Sequence, residues 1–197
     1  LVVSELEGPV RRADFAQVDW VAGRAPSRHQ LTALACFRSA VAVRLYALAP
    51  QREGLSLSDL REAAGYGRQT VREHLGALLA HRWVVELADG RFRRNWRNVV
   101  PPFRLSTYEL KLADWRRACT QLTSHMLFAD RAFLVMPEPR TPAVAQRIAD
   151  GIRDYPAGLV FLGDDAPRVH VCRDVPWTQP HYRLCALGKA CAQSLSL

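Results

Sequence analysis

Between Ser27 and Pro50 apolar residues return at helical spacing (Leu31, Leu34, Ala35, Val41, Ala42, Leu45, Leu48), which predicts one helix with a buried face and a Ser27 cap. A shorter helix opens at Ser58 and carries Leu60, Ala63 and Ala64 inward. It stops at Gly65-Tyr66-Gly67, where glycines can take positive φ and reverse the chain. The next stripe, Val71, Leu75, Leu78 and Leu79, predicts a third helix over residues 68–81. Its N-terminal half leaves Arg68, Gln69, Thr70, Arg72, Glu73 and His74 at the surface. Trp83 to Leu87 reads as a strand, Ala88-Asp89-Gly90 as a hairpin turn, and Arg91 to Trp96 as the return strand.

Val99-Val100-Pro101-Pro102 is a stiff connector, and a domain boundary is expected there. Beyond it the pattern predicts a strand from Phe103 to Leu112, a helix from an Asp114 cap to about Phe128, and a buried strand over Ala132 to Met136. A helix behind Thr141-Pro142 and two strands, Gly158 to Leu162 and Arg168 to Cys172, complete the pattern. Strand, helix, strand, helix, strand is an α/β order with at least one parallel pairing. Residues 1–26 read as an arm or short helix without a motif. The tail from Trp177 reads as a strap held by Trp177, Tyr182 and Leu184. The expected domains are therefore an arm (1–26), a helical unit with a hairpin (27–100) and an α/β unit (101–197), a combination of α+β and α/β classes.

Charge adds a partner to this outline. A net charge of +8 over 197 residues argues for a polyanion, most simply nucleic acid. Almost all of the positive charge is arginine, the only lysines being Lys111 and Lys189. Lysine can act as a compact point charge and give up a proton, which arginine cannot. Cys36, Cys119, Cys172, Cys185 and Cys191 are odd in number and read as reduced thiols. No apolar run approaches bilayer length and no secretory pattern is present, so a cytoplasmic protein without membrane contact is expected. Residue 1 is not Met, so the gene product is expected to begin upstream.

Tyr108 to Trp115 concentrates the candidate chemistry. Alternation along a strand turns Glu109 and Lys111 to one side and Leu110 and Leu112 into a core. A carboxylate beside an ammonium can hold a divalent cation and a water or phosphate, which is phosphodiester-cleavage chemistry. The plain alternative is a salt bridge on an exposed strand. His170 and Cys172, with His181, Cys185 and Cys191 behind them, match no common zinc spacing, and burial explains the cysteines more simply. His125 reads as a packed helix residue.

Residues 27–98 resemble the winged helix-turn-helix family. The resemblance is carried by Leu57-Ser58-Asp59-Leu60, the Gly65-Tyr66-Gly67 turn, Gln69-Thr70-Val71-Arg72-Glu73-His74-Leu75 and the Arg82 to Leu87 strand. It implies a third helix in the major groove of double-stranded DNA and a hairpin wing on the backbone. Gln69, Thr70 and Arg72 suit base edges, and Arg91, Arg93 and Arg94 suit phosphates, with Arg68 and His74 on the same helix face.

Residues 103–172 resemble the restriction-endonuclease-like PD-(D/E)xK superfamily, with Glu109-Leu110-Lys111 in the place of its (D/E)xK. The resemblance implies Glu109 as a metal ligand, Lys111 as a water-orienting or charge-stabilising group, and Gln121 as an auxiliary. Active members add an acid from the preceding strand, yet Arg91 to Tyr108 contains no Asp or Glu. Asp89 and Asp114 are poorly placed, and an acid recruited from Glu86, Asp130 or residues upstream of position 1 is the remaining source. The expectation is a DNA-binding transcriptional regulator, dimeric and without a cofactor, whose nuclease-like domain has lost cleavage. The alternative is a Mg²⁺-dependent endonuclease targeted by the winged helix.

Overall fold

The computed structural model describes residues 1–8, 11–21, 25–164 and 166–196. The chain opens with β1 (Val2–Glu7) and β2 (Arg12–Trp20), followed by α1 (Arg28–Ala35), a 3-10 turn at Cys36–Arg38, α2 (Ala40–Leu48), α3 (Leu57–Ala64) and α4 (Arg68–Ala80). A small hairpin of β3 (Val84–Glu86) and β4 (Phe92–Arg94) precedes β5 (Phe103–Leu110) and α5 (Trp115–His125). Then come β6 (Arg131–Pro137), α6 (Pro142–Arg153), β7 (Gly158–Leu162), β8 (Pro167–Val171) and α7 (Pro180–Leu195).

Six strands form one mixed sheet in the order β1-β2-β5-β6-β7-β8. The β5, β6 and β7 strands are parallel, with α5 and α6 as crossovers, and the remaining neighbours are antiparallel. Val2–Glu7 and Arg12–Trp20 are thus strands, not an arm or a helix. They supply two strands of the sheet, and β2 pairs directly with β5, which lies far along the sequence. The segment between leaves at Trp20 and returns at Phe103, and these two residues face each other in the ladder, with the Val21 amide donating to the Pro102 carbonyl at 3.0 Å. The whole helical segment is an insertion between two neighbouring strands.

The single helix expected over Ser27 to Pro50 is broken. Ser39 is extended (φ −97°, ψ 129°) and its Oγ accepts the Val41 amide at 3.2 Å, capping α2 afresh. The two helices meet at 95°, yet each buries an apolar face, so the stripe runs through the bend unbroken. The short helix α3 starts at Ser56 rather than Ser58, because Ser56 and Asp59 form a reciprocal capping box. Gly65 closes α3 in the left-handed region at φ 73°, a conformation that costs a residue with a Cβ.

The tail is not a strap. It is the long helix α7, whose buried Cys185, Ala186, Leu187, Ala190 and Cys191 join the helical insertion to the face of β1 and β2 in one core with Phe37, Leu45, Trp83, Val18 and Leu105. Trp177 remains exposed. A Cβ on Gly188 would lie 2.4 Å from the Arg38 nitrogen, so only glycine lets α7 approach this closely. Trp83 is fixed by its indole N–H to the Ala33 carbonyl at 2.8 Å. A second core lies between α5, α6 and the β6–β7 face around Leu122, Ile148, Leu134 and Phe161. No single helix among the described residues is long and apolar enough to cross a membrane.

Candidate active site and nucleic-acid interface

Glu109 sits near the end of β5, but on the covered face of the sheet. It is 1% exposed, while Leu110 and Leu112, expected in a core, are 39% and 89% exposed. The alternation was right and its sense inverted, because Leu105, Thr107 and Glu109 share the face that α5 and α7 cover. A buried carboxylate needs a counter-charge or it protonates. Lys111 supplies one, its Nζ 2.6 Å from Glu109 Oε1.

A second carboxylate comes from β2. The antiparallel register runs from Trp20–Phe103 to Phe15–Tyr108, and its next step brings Asp14 alongside Glu109. The Leu110 amide donates to Asp14 Oδ2 at 2.8 Å, closing the end of the ladder with a side chain in place of a carbonyl. Asp14 thus lies on β2, on the far side of the insertion from β5. Asp130 is engaged by the Leu105 amide and Arg183, Glu86 lies exposed in the β3–β4 hairpin, and Asp89 holds Arg91.

His125, at the C-terminal end of α5, is fully buried beside this pair. Its Nε2 lies 3.2 Å from the Arg12 carbonyl and 3.8 Å from Glu109 Oε2. A carbonyl only accepts, so Nε2 carries the proton and Nδ1 is the bare nitrogen, buried without a partner among the described residues. Burial holds the imidazole below its ordinary pKa, against the opposing pull of the Arg12 carbonyl, Glu109 and Asp14. His125 thus ties α5 to β2 two residues from Asp14. Gln121, one turn earlier on the same helix face, has a buried Oε1 without a partner. Sequence reasoning passed over Asp14 and treated His125 only as packing. The signal for Asp14 was the alternation of Ala16 and Val18 with Phe15, Gln17 and Asp19, which marks a strand.

The residues expected to meet DNA divide into free and engaged groups. Arg68 and Arg72 are exposed on α4 and make no ion pair among the described residues. Gln69 donates to Glu73 at 2.8 Å, and His74 Nδ1 lies 3.0 Å from the Thr70 carbonyl, so both partly face their own helix. Arg91 is held by Asp89 at 2.6 Å. Arg94 turns inward, donating to the Ala47 carbonyl at 3.0 Å with its guanidinium 4.6 Å from the Tyr46 ring centre, which is a structural role. Arg93 is half-buried at the root of the hairpin.

No set of three or more His, Cys, Asp or Glu side chains converges as a metal cage among the described residues. His170 packs edge-on to Phe161 at 4.7 Å and Cys185 lies in α7, so the candidate zinc group is not assembled. Comparison with protein-family models, curated proteins and solved structures finds no match to the chain.

Proposed function

We propose that the protein is a DNA-binding nuclease. A winged helix-turn-helix formed by residues 27–100 docks on duplex DNA, and a restriction-endonuclease-like site of Asp14, Glu109 and Lys111 hydrolyses a phosphodiester with a divalent cation of the Mg²⁺ class. The observation that carries this reading is the 2.8 Å hydrogen bond from the Leu110 amide to Asp14, at the strand position that the register sets opposite Glu109. The arginines of α4 that lack ion pairs and the net charge of +8 support the docking half.

The residues present fit such a cation. Mg²⁺ takes one or two carboxylates and completes its shell with water and substrate phosphate oxygens, so a full protein cage is not required. Asp14 and Glu109 would hold it, and the unpartnered Gln121 Oε1 adds a neutral acceptor on the neighbouring helix. Bound there, the cation polarises the phosphate and makes water a better nucleophile. Lys111 pairs with Glu109 at 2.6 Å and places an ammonium, 26% exposed, where charge develops on the phosphate. The water oxygen bonds to phosphorus and releases a proton to solvent as the bond to the leaving sugar oxygen breaks, and that oxygen takes a proton from solvent. His125 holds α5 and β2 in register around the two carboxylates.

A second reading is a dimeric transcriptional regulator that uses the same winged helix without cleavage. It is favoured by the burial of Glu109, whose short ion pair with Lys111 satisfies it without any cation. Incubating duplex and single-stranded DNA with the protein in Mg²⁺ or Mn²⁺ separates the two. The nuclease reading expects cleavage that EDTA and Lys111→Ala abolish. Tight duplex binding with intact DNA at every metal concentration would establish the regulator instead.

A further inference from the structure

At the far end of α4 from Arg68 and Arg72 lies a groove of about 700 Å³, bounded by the start of α1, the end of α4, the hairpin and the loop that leads to β5. None of its lining residues is acidic, whereas Arg82, Arg93, Arg97, His29 and His81 all face it. The three arginines make no ion pair among the described residues, and Arg93 Nε is buried without a partner. Trp96 stands on the rim, 62% exposed, with the Arg97 guanidinium 5.1 Å from its ring centre. Arg82 is held in the left-handed region at φ 58°, where a helix end ordinarily takes glycine, and its carbonyl accepts the Asn95 side-chain Nδ2 at 2.8 Å. A cationic side chain is kept at a position where its backbone is strained.

We propose that this groove binds single-stranded nucleic acid, with an unpaired base stacked on Trp96 and the adjoining phosphates on Arg82, Arg93 and Arg97. Arginines without carboxylate partners, Arg93 half-buried and Arg82 and Arg97 exposed, suit phosphate oxygens. An exposed indole plane flanked by a guanidinium suits a base face, which is available only where bases are unpaired. The groove lies away from Arg68 and Arg72, the exposed arginines of the duplex-docking helix, and shares only Arg93 with the residues assigned to the duplex. At ~1.5 Å per residue, the end of α4 at Ala80 lies about 15 Å along the helix axis from Thr70, and Arg82 follows beyond that end. The inference therefore goes beyond that reading and does not depend on cleavage at Glu109.

Fluorescence anisotropy with labelled oligothymidylate, oligouridylate and a duplex, in EDTA, tests it. Trp96→Ala is expected to weaken both single-strand arms about tenfold, the order of one lost base–aromatic stack. Trp96→Phe recovers most of the affinity, and neither variant moves duplex binding. The tighter of the oligothymidylate and oligouridylate arms identifies DNA or RNA as the source. Unchanged single-strand affinity in Trp96→Ala overturns the proposal, as does equal competition by polyglutamate, which would make the groove a site for acidic peptides. Arg72→Ala in parallel reports on the duplex face alone, so failure of that reading leaves the single-strand arms interpretable.

Discussion

The Leu110 amide donates to Asp14 Oδ2 at 2.8 Å across 96 positions of sequence. That contact joins two strands separated by an insertion of four helices and a hairpin, and it holds the second carboxylate of the proposed site at the strand position that the register sets opposite Glu109. The distance in sequence is a consequence of topology. Trp20 and Phe103 pair at the other end of the same two strands, so the insertion enters and leaves at one point, at the opposite end from Asp14 and Glu109.

His125 is expected to act through Glu109 and Asp14 rather than on substrate. His125→Gln should lower cleavage by about tenfold to a hundredfold, the range for groups that orient metal ligands, and raise the metal concentration needed for half-maximal rate. Circular dichroism that stays native while the metal dependence shifts marks a positioning role. Loss of rate without any change in metal dependence argues against it.

Arg72 and Arg94 should separate binding from stability. Arg72→Ala is expected to reduce the slope of log affinity against log salt by about one phosphate contact. Arg94→Ala should leave that slope alone and cost about 1 kcal/mol of stability, through loss of the Ala47 hydrogen bond and the Tyr46 contact. Salt titrations of duplex binding and denaturant melts on both variants check the division.

Gly188→Ala forces a methyl group against the backbone of Phe37 and Arg38. Overpacking of this kind costs about 2 kcal/mol. Since α7 is shared by the insertion and the sheet, both should lose stability in one transition, seen as coincident melts by tryptophan fluorescence and circular dichroism.

Burial pushes the Cys36 and Cys191 thiols up to about 12 from an ordinary 9.0. Unfolded, these thiols release protons above pH 9; folded, they stay neutral until about pH 12. The unfolded state binds fewer protons across that window, so their contribution to stability is complete below pH 9 and is lost as pH rises towards 12. Urea midpoints measured across this range should fall, and the fall should be shallower in Cys36→Ala/Cys191→Ala. The exposed Cys172 should react with a thiol reagent in the native protein while Cys36 and Cys191 do not.

Much of the fold was legible because local signals were strong. Gly65 and Gly90, both at positive φ, marked the α3–α4 turn and the hairpin, and the Asp114 cap and Thr141-Pro142 marked the starts of α5 and α6. What escaped was non-local or low in contrast. The helix α7 is rich in Ala, Cys, Gly and Leu and buries so much of its surface that little polar stripe remains to show its period. Strand β2 hides behind alanines, and no periodicity announces that its partner is β5. Glu109 and Lys111 were found by spacing alone, but the sense of their face depended on helices from elsewhere in the chain. Asp14 could be found only once the pairing of β2 with β5 was known.

The most direct measurement is single-turnover cleavage of duplex DNA in Mg²⁺ by the wild-type protein and by Asp14→Asn, with folding checked by circular dichroism. The amide keeps an oxygen for the Leu110 hydrogen bond but removes the charge that would hold the cation. The rate should fall by about a hundredfold or more, the order expected when several kcal/mol of metal-borne transition-state stabilisation is lost. An Asp14→Asn protein that cleaves as fast as the wild type would contradict the assignment of Asp14 to the site.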